Sequence, residues 1–157
     1  MEHHYTLDLE WTGNLGNGTS EYTGYSRDHL IKGLDKLEIM CSSDPNFRGD
    51  KNKYNPEELF LASFSSCHML WYLHLCADNG IVVKTYIDRP KGLMITPKDE
   101  PGRFKEIILN PKVTIQNDES KVSLALELHN EAHQKCFIAN SCNFPVLHNP
   151  EILIANS

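Results

Sequence analysis

A long apolar stretch dominates the hydrophobic pattern of the chain. It runs from Leu59 to Cys76 and follows the sequence Asn-Pro-Glu-Glu at positions 55–58. Asparagine is a favourable helix N-cap, proline suits the first helical position, and glutamates in the first turn complement the helix dipole. Gly80 can adopt the left-handed conformation that ends many helices. The pattern therefore predicts a helix that is apolar on nearly every side.

Shorter segments on both sides of this helix have the alternating pattern of strands. Between Tyr5 and Trp11, apolar residues alternate with polar ones, as in a half-buried strand. Further strands are predicted at 20–26, 37–42, 82–88, 93–96, 104–109, 113–116 and 151–155, the last as a short edge strand. The stretch from Asp118 to Lys135 fits a strand or a helix, and intrinsic propensity favours a helix. Together these elements predict an α+β fold in which antiparallel strands pack around a long central helix.

Length, charge and the N-terminal sequence narrow the class of protein. A chain of 157 residues predicts one domain, residues 1–157, that is large enough to bury a core. The net charge of −6 argues against nucleic acid as the main partner, because binding to its backbone requires a basic surface. The first residues lack the basic and apolar regions of a secretory signal, so we expect a cytoplasmic protein.

The apolar stretch is also close to the length of a membrane span. It has 18 residues, but they include Ser63, Ser65, Ser66, His68 and His74, which are costly in lipid. A helix that is apolar on nearly all sides is better explained as the core helix of a globular domain or of its oligomer. We therefore expect no membrane partner.

The five cysteines are an odd number without the spacing of a disulfide framework. In a reducing compartment such thiols are buried, metal-bound or catalytic. Cys76 comes nine residues after Cys67 and would face the opposite side of the helix, which predicts a core position. His74 shares the face of Cys67 and is expected to be a core histidine, although it could tune a site there. Cys41 and Cys142 belong to no motif.

Metal and phosphate sites have weaker support in the sequence. His133 and Cys136 are three residues apart and could ligate a metal, but no zinc-binding or metalloprotease motif accompanies them. The glycines at positions 13, 16 and 18 are typical of a turn rather than of a phosphate-binding loop. We expect neither a metal nor another cofactor.

The residues around Cys67 and Cys136 resemble those of the OsmC/Ohr family of thiol-dependent peroxidases. The Asn-Pro-Glu helix start comes first, Glu57 lies ten residues before Cys67, and Cys136 follows Cys67 by 69 residues. Arg48 occupies the place just before this motif where the OsmC branch carries an arginine. Two positions depart from the family pattern. His68 follows the first cysteine where an apolar residue is common, and Phe137 follows the second where proline is frequent.

The resemblance implies an intertwined homodimer that reduces organic hydroperoxides with two cysteines and without metal or flavin. Cys67 would be the peroxidatic cysteine and Cys136 the resolving one. Arg48 would activate the thiolate, Glu57 would orient Arg48, and an external dithiol would restore both thiols. A guanidinium can stabilise a thiolate and hold peroxide oxygens, and a second thiol can condense with a sulfenic acid. The alternative is a non-catalytic redox-sensing or small-ligand-binding protein on the same fold.

Helix geometry adds an expectation about the assembly. Ten residues of helix separate the Cα atoms of Glu57 and Cys67 by about 15 Å, which a glutamate side chain cannot cover. In an isologous dimer, Arg48 and Glu57 of one subunit would approach Cys67 of the other. We therefore expect two equivalent sites that are shared between subunits.

Overall fold

The computed structural model describes residues 1–156, and the chain divides into two compact units. The first unit extends from Met1 to Phe60, and the second begins at Leu61. Each unit is described by itself. That all 157 residues form one domain stays a prediction.

The first unit contains a small antiparallel sheet. Its strands, in the order β1-β2-β3, are Asp8–Trp11, His29–Lys32 and Ile39–Cys41. The register places Leu9 opposite Ile31 and Ile31 opposite Ile39, so these three side chains share one face. Leu9 is 63% exposed and Ile39 is 39% exposed, so an apolar face of this sheet is in contact with solvent.

The strand predicted at residues 20–26 is wrong, because this segment forms turns. Its aromatic residues are used in another way. The guanidinium of Arg27 stacks on Tyr22 and Tyr25, 4.5 and 4.1 Å from the two ring centroids, and donates hydrogen bonds to both backbone carbonyls. The Trp11 indole N–H donates to the Ser26 carbonyl at 2.8 Å. These contacts hold a compact loop between β1 and β2.

The long helix α1, Pro56–Asp78, confirms the main prediction from the hydrophobic pattern. The Glu58 backbone N–H donates to Asn55 Oδ1 at 2.8 Å, and the Asn55 N–H donates back to Glu58 Oε2 at 3.2 Å. This reciprocal pair is a capping box. Gly80 follows the helix with a positive φ of 65°. The cap and the terminal glycine explain why the helix begins and ends where it does.

Helix α1 is long and apolar enough to cross a membrane, judged by length and composition alone. Core helices of globular proteins meet the same criterion. Two of its polar side chains have polar protein partners, since Ser65 donates to Asp88 and His68 is hydrogen-bonded to His129. This matching of polar groups suits a helix packed against protein.

The second unit combines most of α1 with two small sheets and two further helices. Its strands are β4 Val83–Ile87, β5 Lys91–Ile95, β6 Arg103–Leu109, β7 Lys112–Ile115, β8 Val146–His148 and β9 Glu151–Ile154. Helix α2 is Val122–Lys135 and helix α3 is Phe137–Asn140, and a short 3₁₀ helix precedes α2. The α+β class with a long helix is confirmed, as are the helical assignment of α2 and the final short strand.

The two sheets have the orders β4-β7-β9 and β5-β6-β8. The pairs β4–β7 and β5–β6 are antiparallel, as expected. The pairs β6–β8 and β7–β9 are parallel, which differs from the expectation of antiparallel strands. Strand β8 was not predicted from the sequence. It carries His148 beside the end of β6, which matters for the buried histidines described below.

The core of this unit lies between α1, α2 and β7. Its buried members are Tyr72, Leu75, Cys76, Ile81, Val113, Ile115, Ala125, Leu128 and Ala132. Burial of such side chains is worth about 1.5–3 kcal/mol each for the larger ones and is the main force that fixes α2 against α1. The same two helices, α1 and α2, also position Cys67 and Cys136.

Candidate active site

Cys67 and Cys136 are neighbouring thiols whose side chains interact. Cys67 lies in the middle of α1, and Cys136 follows the last residue of α2. The interaction with Cys67 favours the protonated form of Cys136. Residues 69 positions apart in the sequence are thus brought together by packing of α2 on α1.

The two thiols differ in their surroundings. Cys67 is partly exposed, whereas Cys136 is only 2% exposed. Burial, followed by the interaction with Cys67, raises the pKa of Cys136 to about 11, although the backbone N–H of Ala139 donates to its sulfur at 3.4 Å. Cys136 is therefore a neutral thiol at neutral pH, and Cys67 is the sulfur that a molecule from solvent can reach.

An apolar groove of about 350 Å³ opens over Cys67. Cys67, Leu70, Trp71 and His74 line it from one face of α1, at the spacing that places side chains on a single helical face. Phe137 closes it from the segment after Cys136, with its ring 5.7 Å from that of Trp71 in an edge-on arrangement. The lining suits an apolar organic molecule that presents its reactive group to a thiol.

Arg48 lies in the first unit, at the end of a short 3₁₀ helix, Pro45–Phe47. Its φ of 68° is left-handed, and its backbone N–H donates to the Pro45 carbonyl at 3.1 Å. Gly49 follows where a Cβ would lie 1.5 Å from the Ser43 carbonyl oxygen, so only glycine fits this close approach. The loop is tightly built, and it leaves the Arg48 side chain exposed.

Glu57 lies in the first turn of α1 and is half-buried. Its Oε2 atom is buried without a hydrogen-bond partner, because the capping box uses Glu58 instead. Within residues 1–156 of a single chain, Arg48 and Glu57 form no ion pair. The first unit therefore contains both the Glu57 carboxylate oxygen, which has no hydrogen-bond partner, and the Arg48 guanidinium, which has no carboxylate partner among the described residues.

The remaining candidate residues fall into two groups. Cys76 is buried in the core, as predicted, and burial raises its pKa. His74 is not the core histidine that we expected, because 62% of its side chain is exposed. It lines the groove, and its Nε2 lies 3.3 Å from Asp78 one turn further along α1. The face of the helix that carries His74 lies on the surface of the second unit, whereas Leu75 and Cys76 face the core, which explains the difference.

Sequence reasoning missed a buried set of histidines beside the thiol pair. His68 and His129 are 1% and 0% exposed, and their Nε2 and Nδ1 atoms are 2.9 Å apart. His148 lies against both rings. The sequence carried one signal for these histidines, because His68 stands where the family pattern has an apolar residue. Among the described side chains, no three His, Cys, Asp or Glu residues converge as metal ligands do.

Comparisons with known proteins agree with this arrangement. The sequence profile of the OsmC-like protein family matches residues 49–149, which include Glu57, Cys67 and Cys136. None of the curated proteins compared with the chain is significantly similar to it in sequence.

Solved structures of related proteins share the fold over almost the whole chain. An OsmC-like protein of unknown function from Vibrio cholerae has 26% identity and a TM-score of 0.87, over 96% of this chain and all of that one. An organic hydroperoxide resistance protein from Elizabethkingia anophelis has 17% identity and a TM-score of 0.66, over 99% of this chain and all of that one. A Legionella pneumophila protein of the same description has 16% identity and a TM-score of 0.64, over 97% of this chain and 99% of that one. By its family match and its fold, the chain belongs to the family of OsmC-like proteins.

Proposed function

We propose that this protein is a thiol-dependent peroxidase that reduces organic hydroperoxides. The observation that carries the proposal is the interacting pair of Cys67 and Cys136, of which Cys67 lines an apolar groove. A partly exposed thiol can attack a substrate in the groove, and a second, neighbouring thiol can trap the product. The names of the Legionella and Elizabethkingia structures, which are organic hydroperoxide resistance proteins, add support.

The proposed reaction balances within this pair of sulfurs. The Cys67 thiolate attacks one peroxide oxygen, the O–O bond breaks, and the other oxygen leaves as an alkoxide that takes up a proton to become an alcohol. Cys67 is oxidised to a sulfenic acid. The Cys136 thiolate then attacks that sulfur, the S–O bond breaks, and the oxygen leaves as water after protonation. An external dithiol reduces the resulting disulfide by exchange.

Arg48 and Glu57 enter the proposal through a homodimer. An exposed guanidinium and a buried carboxylate oxygen without a partner are what one subunit would present if its site were completed by a second copy.

The apolar sheet face of the first unit also supports a homodimer. It borders a groove of about 530 Å³ whose apolar lining includes Tyr5, Leu7, Ile31, Leu34, Leu37 and Ile39. Exposed apolar surface of this kind is typical of an interface.

In this dimer Arg48 would stabilise the Cys67 thiolate and hold the peroxide oxygens, and Glu57 would orient Arg48. The partners of the protein would be the hydroperoxide, a dithiol reductant and its own second copy, in the cytoplasm, with no metal, nucleic acid or membrane involved.

One observation favours the alternative of a redox sensor on the same fold. The raised pKa of Cys136 leaves little of its reactive thiolate at neutral pH, so disulfide formation could be slow. Steady-state turnover separates the two functions. A peroxidase consumes many equivalents of cumene hydroperoxide per subunit when dithiothreitol is in excess, whereas a sensor is oxidised once. Consumption that stops after one equivalent would contradict the enzymatic function.

A further inference from the structure

Four histidines from three elements gather in the second unit, of which His68 and His129 are buried and the other two partly exposed. His68 comes from α1, His129 and His133 from α2, and His148 from β8. The rings of His68 and His129 are stacked, with centroids 5.3 Å apart, and their Nε2 and Nδ1 atoms share a hydrogen bond of 2.9 Å. The ring of His148 lies 5.6 Å from that of His68 and 5.3 Å from that of His133. We call these four residues the histidine cluster.

Three nitrogens of the histidine cluster are buried without a hydrogen-bond partner. They are Nδ1 of His68, Nε2 of His129 and Nδ1 of His148. A buried imidazole nitrogen that lacks a partner is costly even when neutral, and adding a proton there creates a charge that neither water nor protein solvates. His68, His129 and His148 therefore fit this packing only while their rings are uncharged.

Within residues 1–156, no carboxylate acts on the rings of His68, His129 and His148 to offset a proton. Tyr72 of α1 stacks on His129 at 3.8 Å, and Tyr86 of β4 lies 5.9 Å from Tyr72. His148 is hydrogen-bonded through Nε2 to the amide oxygen of Asn130 at 3.0 Å. The described partners of these rings are thus other imidazoles, a phenol and an amide.

Burial and the neighbouring imidazoles act in the same direction on these rings. Burial, then His148 and His133, lowers the pKa of His68 to about 4. Burial, then His68 and His148, lowers that of His129 to about 3. Burial also lowers the pKa of His148. In the unfolded chain each of these residues would take up a proton near its ordinary pKa of about 6.5.

The cluster is located where it can control the thiol pair. His68 is adjacent to Cys67 in α1. At the end of α2, the Cys136 backbone N–H donates to the His133 carbonyl at 3.2 Å. The imidazoles thus join the helix that carries Cys67 to the last turn of the helix that leads to Cys136.

We propose that the histidine cluster is an acid-sensitive latch, which holds α2 and the Cys136 segment against α1 at neutral pH and releases them in acid. Above the ordinary pKa of histidine, His68, His129 and His148 are neutral in both folded and unfolded states, and the latch is closed. As the pH falls from about 6.5 towards 4, the released state binds protons that the closed state excludes, so release becomes increasingly favourable. The latch does not depend on the peroxidase function, because it is a property of the packing.

Hydrogen exchange of the full-length protein, corrected for intrinsic rates and followed from about pH 7 to about pH 4, tests the latch. Peptides from residues 122–140 should lose at least about tenfold in protection on acidification, while strands β1–β3 keep theirs. The loss should reverse on return to neutral pH. Protection of residues 122–140 that stays constant down to about pH 4 would overturn the proposal.

A histidine variant and a matched control identify the groups responsible. His129→Gln removes a titratable ring from the cluster, and His3→Gln removes an exposed one. His129→Gln should move the midpoint of release to lower pH, and His3→Gln should leave it unchanged. If His129→Gln does not fold, titration of the wild-type imidazoles by NMR decides. The latch would be overturned if all eight histidines titrated near pH 6.5 while residues 122–140 kept their protection. Zinc bound stoichiometrically to the wild-type cluster would also overturn it.

Discussion

The thiol of Cys136 lies beside the sulfur of Cys67, and the two side chains interact. The first cysteine belongs to the middle of a helix that the sequence marks clearly, and the second follows a helix whose identity the sequence left ambiguous. Their contact is therefore a product of tertiary packing. In the proposed function, one sulfur would cleave the peroxide and the other would form the disulfide.

The first prediction concerns the nucleophile. Cys67→Ser should reduce hydroperoxide consumption to the protein-free background, because a serine hydroxyl is not ionised at neutral pH and is a poor nucleophile. Cys76→Ser is the matched control on the same helix. It places a hydroxyl in the core and should cost about 1–3 kcal/mol of stability while retaining activity. Wild-type rates in Cys67→Ser would exclude Cys67 as the reacting sulfur.

The second prediction concerns the fate of oxidised Cys67. In Cys136→Ala the sulfenic acid has no neighbouring thiol, so it should accumulate and then proceed to sulfinic acid. Labelling with dimedone, read by peptide mass spectrometry, measures it. Cys142→Ala, which removes a thiol outside the pair, should behave like wild type. If Cys136→Ala and wild type accumulate the same small amount of sulfenic acid, Cys136 has no resolving role.

The third prediction follows from the pKa of Cys136, which is raised to about 11. Only the thiolate attacks a sulfenic acid, and its fraction grows about tenfold per pH unit below the pKa. Disulfide formation after a hydroperoxide pulse should therefore accelerate about tenfold per unit between roughly pH 7 and 9. Rapid-quench alkylation measures it. A rate independent of pH in this range would mean that the ionisation of Cys136 does not limit resolution.

The fourth prediction tests the shared site. Arg48→Ala should lower activity about a hundredfold, as expected for loss of a charged group that stabilises the reacting atoms. In a mixed dimer of Arg48→Ala and Cys67→Ser subunits, one of the two sites has both functional residues. Such heterodimers, purified with two affinity tags, should regain about half the wild-type rate. Heterodimers as inactive as both parents would show that the sites are not shared.

The sequence identifies α1 well because its signals are local. The N-cap at Asn55, the acidic first turn and the left-handed Gly80 act within a few residues of the helix ends. The same holds for the common face of Cys67 and His74, which follows from helical periodicity. What the local pattern could not give was the exposure of that face, since exposure depends on which elements pack there.

The errors have physical causes, one in local side-chain contacts and the other in long-range strand pairing. Alternation between residues 20 and 26 suggests a strand, but Arg27 draws the aromatic side chains of this segment into stacking and hydrogen bonds. Strand β8 has only three residues and gains its place by parallel pairing with β6, far away in sequence. Because β8 was not predicted, His148 could not be placed beside His68, and the histidine cluster escaped notice.

The most direct measurement of the central claim is a single turnover of the reduced protein with one equivalent of cumene hydroperoxide and no added reductant. Hydroperoxide consumption, free thiols and disulfide-linked peptides are followed in the same sample. The account predicts that each subunit consumes one hydroperoxide and loses two thiols, with Cys67 linked to Cys136 in the same chain. Hydroperoxide that remains intact, or that disappears while Cys67 and Cys136 both stay reduced, would contradict it.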